Sequence, residues 1–301
     1  MYLRENTTQR QVCIGLYDPH LPGTRRKMQP VPSAFAALGI PALQRCGQVE
    51  SPWVSLDEIG YLELSCGEYC REIWNLMEKK QVLAVVRKED HPFLQGLLRR
   101  EDVFCLDLDN PFGNAGCVIM ASGLGRRFGG SKLLAPFDGK PMLNRVLDAT
   151  GGLFSRRVVV TRSKEAVECC QALGVEAVLH DLPHRSDTVR LGLEAVGDVE
   201  RCLFCPADQP LLRAETIISL LLCGVQDPDS IWRPSAEGIP GAPILFPHWA
   251  FPALKNLPTG KGGGFVAAAH PEQVRLLPIE DPLELKDVDT QQDLMALEAM
   301  V

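Results

Sequence analysis

The chain has 301 residues, enough for two domains of ordinary size, and its 46% hydrophobic and 23% charged residues are the balance of a globular protein. A net charge of −7 argues against a general nucleic-acid binder, and no apolar run nears the about 20 residues of a membrane span. The opening MYLRENTTQR has neither the basic nor the apolar segment of a secretory signal, so a cytoplasmic protein without membrane or nucleic-acid partners is expected.

The eleven cysteines are scattered rather than framed, and most are expected to be buried, reduced thiols. Cys202 and Cys205 form a CxxC spacing, but inside a strand their side chains would point to opposite faces, which disfavours a shared metal or redox role.

In chain order, residues 1–112 form the first predicted domain. After FAALGIPAL (Phe35 to Leu43) comes SLDEIGYLEL (Ser55 to Leu64), which sets Asp57 and Glu58 after a strand, as in a Walker B element that holds Mg²⁺ and polarises water. A helix from Glu68 to Lys79, a strand VLAVV from Val82 and the segment HPFLQGLLRREDV follow. Together these segments resemble a nucleoside-triphosphatase family whose members carry IDEIGxMEL at this place, which implies a P-loop-NTPase-like α/β domain. Yet no GxxxxGK[ST] occurs in the chain, so nothing grips the β and γ phosphates. Arg25, Arg26 and Lys27 bring charge but no cradle. Either the start of this domain lies outside the sequence, leaving it truncated, or the domain has degenerated into a structural or docking module.

A turn-rich break, DLDNPFGNAG (Asp107 to Gly116), separates this pattern from the second predicted domain, 113–301. There strands and helices alternate. Strands are predicted at 116–121, 156–161, 175–179, 200–205, 230–233, 243–246 and 273–279. Helices are predicted from Pro141 to Ala149, Lys164 to Leu173, Val189 to Ala195, Ala214 to Cys223 and Gln291 to Met300. The alternation implies an α/β fold with a mostly parallel sheet covered on both faces. In such sheets ligands bind beyond the carboxyl ends of the strands.

The first strand runs straight into a glycine-rich basic loop, VIMASGLGRRFGGSK (Val118 to Lys132). Gly123, Gly125, Gly129 and Gly130 let backbone N–H groups approach an anion, and Arg126, Arg127 and Lys132 supply charge. The loop is neither Walker A nor GxGxxG. It resembles the signature loop of the MobA-like nucleotidyltransferases, roughly LAAGxGxRxGxxK, with Ser122 where that family has Ala or Gly. Four later segments fit the same resemblance. Pro206-Ala207-Asp208-Gln209-Pro210 is similar to the (G)DQPL motif of the molybdenum cofactor cytidylyltransferase branch, with Ala207 for Gly, where the guanylyltransferase branch has GDMP. Asp208 lies too far ahead of a helix starting near Arg213 to cap it, which leaves the carboxylate for Mg²⁺. Arg185 to Leu193 resembles the R-x-x-S/T-V-x-x-G-L stretch of cytidylyltransferases, although N-capping by Ser186 or Asp187 explains the same residues. Gly241 to Phe246 is similar to G-x-P-x-L-F and is expected to shape the acceptor pocket. Leu285 to Thr290 is similar to LxDIDTPEDL, with Asp287 ending a short strand as a second metal carboxylate and Asp289 or Thr290 capping the last helix. Where the family often has GDxGAR, this chain has Gly260-Lys261-Gly262-Gly263-Gly264, a departure on the acceptor side.

The resemblance covers about residues 115–301 and implies a Rossmann-like nucleotidyltransferase domain of the nucleotide-diphospho-sugar transferase type. It implies an Mg²⁺-dependent cytidylyltransferase that moves CMP from CTP to the phosphate of a molybdopterin-type acceptor and releases pyrophosphate. Lys132, Arg127 and Asp208 would be catalytic. Ser122, Gly123, Leu124, Gly125, Arg126, Gly129, Lys132, Arg185 and Thr188 would bind the nucleotide, and Asp208 with Asp287 the metal. GTP, or another phosphorylated acceptor, is the alternative within the class. A non-catalytic pterin chaperone is the alternative outside it, and molybdenum hydroxylase apo-enzymes are candidate partners.

Overall fold

The computed structural model describes residues 1–22 and 27–300, so Arg25 and Arg26 lie outside the described residues. The chain divides into two compact units, Met1–Cys105 and Leu106–Val301.

Unit 2 is built on one eight-stranded sheet. Its strands are β1 (Ala115–Ala121), β2 (Arg156–Thr161), β3 (Glu176–Leu179), β4 (Arg201–Pro206), β5 (Ile231–Ala236), β6 (Ile239–Pro240), β7 (Ile244–Pro247) and β8 (Val274–Pro278). They lie in the order β3-β2-β1-β4-β7-β5-β6, with β8 paired to β5. The pairs β3/β2, β2/β1, β1/β4 and β5/β8 are parallel, whereas β7 runs antiparallel to both β4 and β5. The expected α/β fold with a mostly parallel sheet is therefore present.

Alternation along the strands divides the core into two layers. On one face, Cys117, Ile119, Leu203 and Cys205 pack with Leu143, Val146, Cys170, Ile217 and Leu220 from helices Met142–Ala149, Lys164–Ala172 and Ala214–Gln226. On the other, Val118, Val160, Cys202 and Phe204 pack with Val189, Leu193 and Val266 from helices Arg185–Val196 and Gly263–Ala269. Cys202 and Cys205 thus fall on opposite faces. All eleven cysteines are free, but only five are buried, five are half-buried and Cys105 is exposed.

The last helix, Gln291–Glu298, docks through Leu297 onto a third cluster with Phe128, Phe137, Met142 and Val288. This cluster ties the glycine-rich loop, through Phe128, to the segment that carries Asp287 and Asp289.

Unit 1 holds a parallel pair of strands, Trp53–Ile59 with Gln81–Val86, and helices Ile40–Cys46, Gly67–Met77 and Pro92–Leu98 over a core that includes Phe35, Ile59, Leu62 and Ile73. Asp57 and Glu58 lie inside the first strand rather than after it. Glu58 accepts hydrogen bonds from Arg87 at 2.9 and 3.2 Å. Lys27 donates to the carbonyls of Pro19 and Leu21.

Candidate active site

The chain leaves β1 toward β2 on one side and returns as β4 on the other, so the strand order reverses between β1 and β4. That reversal opens a crevice beyond their carboxyl ends, the usual ligand position in open α/β sheets. A cleft of about 590 Å³ lies there. Its walls are the loop from Ser122 to Arg127 with Lys132, the segment Leu182 to Arg185 with Thr188, and the pair Asp208 and Asp289.

Backbone geometry explains the glycines. Gly125 has φ +57°, and a Cβ there would sit 2.8 Å from the Gly130 carbonyl oxygen, so no side chain fits. Gly129 has φ +79°. The turn is closed by Phe128 N–H and Gly129 N–H donating to the Gly125 carbonyl, at 2.9 and 3.1 Å. Buried Phe128 anchors it below, while Arg126 and Arg127 stay exposed above.

Lys132 starts a short 3₁₀ turn, Lys132–Leu134, and its side chain is only 10% exposed. Its ammonium donates to Asp208 Oδ2 at 2.7 Å and to Asp289 Oδ1 at 3.1 Å. Burial pulls its pKa down, but these two carboxylates outweigh burial and hold it above the ordinary lysine value. Asp289 receives a second cation, because Arg127 Nη2 donates to its Oδ2 at 2.8 Å. The hydrogen bond from Lys132 is the main reason that the Asp289 carboxyl lies below the usual carboxylate range.

Asp208 stands two residues past the end of β4, and the helix after it starts at Ala214 with Arg213 at the cap position, so Asp208 does not cap that helix. The C-terminal segment is stitched to this turn. Val288 N–H donates to the Asp208 carbonyl at 2.9 Å, and Gln209 Nε2 donates to the Leu285 carbonyl and to Asp287 Oδ1 at 3.1 and 3.0 Å. Buried Glu284 fixes the other end, accepting from Thr216 Oγ1 at 2.6 Å. No strand forms at Asp287, contrary to expectation. The segment leaves a 3₁₀ turn, Pro282–Leu285, as irregular chain, because the backbone of Val288 bonds to a turn and not to a sheet edge.

The residue as a whole is exposed, yet the protein packed around its carboxyl, and then the nearby Asp208 charge, push the Asp287 pKa up. Gln209 Oε1 is buried with no partner. Paired carboxylates that repel one another, beside an orphaned amide oxygen, form a hard oxygen set that suits Mg²⁺ or Mn²⁺. Among the described residues no group of three or more His, Cys, Asp or Glu gathers at metal-ligand spacing. One or two carboxylates are the protein share that Mg²⁺ ordinarily takes when phosphates and water complete its shell.

Helix Arg185–Val196 begins four residues before the predicted start. His184 sits at its cap position and donates its N–H to Asp187 Oδ2 at 3.1 Å, so neither Ser186 nor Asp187 is the cap residue. Ser186 Oγ instead accepts from Gly260 N–H at 3.4 Å. The Arg185 stem packs on Gly262, where a Cβ would lie 2.8 Å from its Cδ. The acceptor-side glycine loop therefore borders the nucleotide-side helix. Thr188 lines the cleft with its Oγ1 buried and unpartnered. Gly241 packs against Leu285 and does not line the cleft.

The cleft thus gathers Ser122, Gly123, Leu124, Gly125, Arg126, Arg127, Lys132, Arg185, Thr188 and Asp208, with Gly129 in the loop turn behind them and Asp287 joined through Gln209. Three further residues join the site that the sequence motifs leave out of it. Asp289 was expected as a possible cap, but Thr290 caps the last helix, accepting from Asp293 N–H at 3.1 Å. Arg162 lines the cleft, and its place one residue past β2 was the available signal. His180, one residue past β3, meets Ser122 Oγ through Nε2 at 2.8 Å. Ser122 spends its one hydroxyl proton on the Val160 carbonyl at 3.0 Å, so His180 Nε2 carries the proton and its buried Nδ1 is left without a partner.

The profile of the MobA-like NTP transferase domain matches residues 117–274, just over half of the chain, and that of an NTPase domain matches residues 23–111. The bifunctional protein GlmU of Pseudoalteromonas atlantica is 28% identical over 138 residues, 40% of this chain and 30% of that protein. A probable molybdenum cofactor guanylyltransferase of Bacillus licheniformis is 34% identical over 107 residues, 34% of this chain and 53% of that protein. The chain thus spans under a third and about half of these two relatives. The crystal structure of Rv0371c from Mycobacterium tuberculosis superposes with a TM-score of 0.56 at 24% identity, over 63% of this chain and 100% of that one. The same protein has also been solved with manganese, at a TM-score of 0.51.

Proposed function

The chain belongs to the MobA-like NTP transferase family, and from that premise we propose that it transfers CMP from CTP to the terminal phosphate of a molybdopterin-type acceptor. The observation that carries this reading is the meeting of Lys132 with Asp208 and Asp289 at the mouth of the glycine-rich loop. A phosphate oxygen of the acceptor attacks the α-phosphorus of the nucleotide in line. The new P–O bond forms as the bond to the β-phosphate oxygen breaks, and pyrophosphate leaves with that electron pair. No covalent enzyme intermediate is needed, so the task of the protein is positioning and charge neutralisation.

The backbone N–H groups from Gly123 to Gly130, with Arg126 and Arg127, receive the triphosphate. Lys132 turns from the carboxylates to the phosphate oxygens. Arg185 and Thr188 face the nucleoside, and Arg185 beside Gly262 marks the side from which the acceptor enters. A divalent cation, Mg²⁺ in this reading, supplies charge neutralisation at the phosphates, and Asp208 with Asp287 are the residues that would hold it. Manganese in the Rv0371c structure supports a divalent site in this fold. A pterin acceptor implies delivery to molybdenum hydroxylase apo-enzymes as downstream partners.

GTP is the second reading, favoured by the resemblance to the guanylyltransferase of Bacillus licheniformis. The four NTPs are compared with Mg²⁺ for thermal stabilisation and, with a molybdopterin-type acceptor, for pyrophosphate release. A pocket that hydrogen-bonds one base leaves groups unpaired with the other, so CTP is expected to outperform GTP by at least about tenfold. Equal or better use of GTP would replace the cytidylyl assignment and leave the class standing. Failure of every NTP to stabilise the protein or to release pyrophosphate would remove the class.

A further inference from the structure

Three adjacent strands end in register beside the cleft. Thr161 of β2 is paired with Ala121 of β1 and with Leu179 of β3, so Ser122, Arg162 and His180 are the first residues past three neighbouring strand ends. The residues two before them, Met120, Val160 and Val178, share the core layer under helix Arg185–Val196, which puts all three on the side of the sheet that this helix covers. Asp208 stands past β4, on the far side of β1, and at the usual strand spacing the end of β2 lies about 10 Å from it. In the reading given above, the triphosphate lies at the β1 and β4 ends, where Lys132 meets Asp208, and the nucleoside, facing Arg185 and Thr188, extends over the ends of β2 and β3. We propose that Arg162 reads the nucleobase there, its guanidinium donating two parallel hydrogen bonds to adjacent acceptors on the base edge. This role rests on the nucleotidyltransferase reading and serves its CTP and GTP versions alike.

Arg162 is half-buried and lines the cleft, and among the described residues its one hydrogen bond runs from Nη2 to the Asp181 carbonyl at 3.2 Å. No carboxylate of the described residues pairs with it, and Ser163 rather than Arg162 caps the helix that follows, accepting from Ala166 N–H at 3.1 Å. The guanidinium is thus anchored at one corner, with donors to spare. Its neighbours do not compete for the base, because the Ser122 hydroxyl proton is spent on Val160 and the His180 Nε2 proton on Ser122. An arginine fork holds donors only, so it selects an edge with two acceptors side by side. Cytosine has N3 and O2, and guanine has N7 and O6. Uracil sets its N3–H between O2 and O4, and adenine sets its amino group beside both N1 and N7, so each opposes one arm of the fork with a donor of its own.

Calorimetric titration of the full chain with each of the four NTPs and Mg²⁺, beside inorganic tripolyphosphate and Mg²⁺, tests the assignment, because tripolyphosphate has no base to read. The unaltered chain is expected to bind CTP or GTP at least about tenfold more tightly than ATP and UTP. Arg162→Met should weaken the preferred nucleotide by about tenfold, the scale of one bidentate base contact, and change ATP, UTP and tripolyphosphate by less than about twofold. Arg162→Lys keeps the charge without the fork and should lose as much. It also stands in should Arg162→Met not fold, and tripolyphosphate binding reports an intact phosphate site in either variant. A loss shared by all four NTPs, or recovery in Arg162→Lys, would overturn the proposal, since the arginine would then act as a general cation. An unaltered chain that binds the four alike or prefers ATP or UTP, or a preference that survives both substitutions, would overturn it as well. Failure of every NTP to bind the unaltered chain would instead sink the nucleotidyltransferase reading and take the proposal with it.

Discussion

His180 shows how one side chain can set a pH limit on the site. Burial, and after it the Arg162 charge, lower its pKa, while Asp181 and Asp187 pull the other way. The neutral Nε2–H form is the one that bonds to Ser122, and a proton added at Nδ1 would be buried without an acceptor. The folded value lies below that of the unfolded chain, so the unfolded state takes up protons first as the pH falls. Stability is therefore complete above the unfolded histidine value of about 6.5 and declines as the pH drops below it. Thermal melts at pH 7.5 and 5.5 should show that loss, and His180→Gln, which keeps a donor near Nε2 but does not titrate, should show less of it. An equal loss in both would locate the effect elsewhere. The same pair explains Ser122, the departure from the small residue usual in the signature loop. Its hydroxyl is spent on Val160 and His180, and neither bond was visible in the sequence because they join residues 38 and 58 positions apart.

At the level of elements, the strands were the most legible part. A strand buried on both faces is a continuous apolar run, and β2 was read at its observed bounds of 156–161. Helix Arg185–Val196 was read short because its first turn is polar and leaves no apolar periodicity. Asp287 reads as a strand end because the run Leu285-Lys286-Asp287-Val288 looks the same whether a sheet or a turn receives it. Asp289 was the largest omission, since its partner Lys132 lies 157 residues away. Gly192 was named only as part of a motif, and its reason is packing. A Cβ there would lie 2.3 Å from Val118 Cγ1, where helix Arg185–Val196 crosses β1. Gly192→Ala should therefore destabilise the protein by about 1–3 kcal/mol in denaturant unfolding, since the helix must lift from the strand that carries the phosphate loop. Gly264→Ala, where a Cβ meets nothing within 4 Å, should fall within about 0.5 kcal/mol of the unaltered chain. Similar losses in the two variants would show that the contact with Val118 does not decide, since the change to alanine raises helix propensity at both sites.

For the whole molecule, the two units carry unequal chemistry. In unit 1 no GxxxxGK[ST] accompanies the acidic pair in the 301 residues, and Glu58 is engaged with Arg87. Glu58→Gln in the full chain is expected to leave both NTP hydrolysis and nucleotidyl transfer unchanged, and a Glu58-dependent hydrolysis would show that this unit is an NTPase in its own right. Unit 2 has a different asymmetry, in time. Lys132 and its loop are made first, Asp208 emerges 76 residues later, and Asp289 with its Val288 anchor only after 157. On the ribosome, the loop therefore waits 76 residues for its first carboxylate and 157 for its second, and Phe128 waits as long for Val288 and Leu297 to cover it. A nascent chain arrested before Leu285 already contains every strand of the sheet and still has no balanced site. The charge balance of the cleft is completed by a segment made after every strand of the sheet.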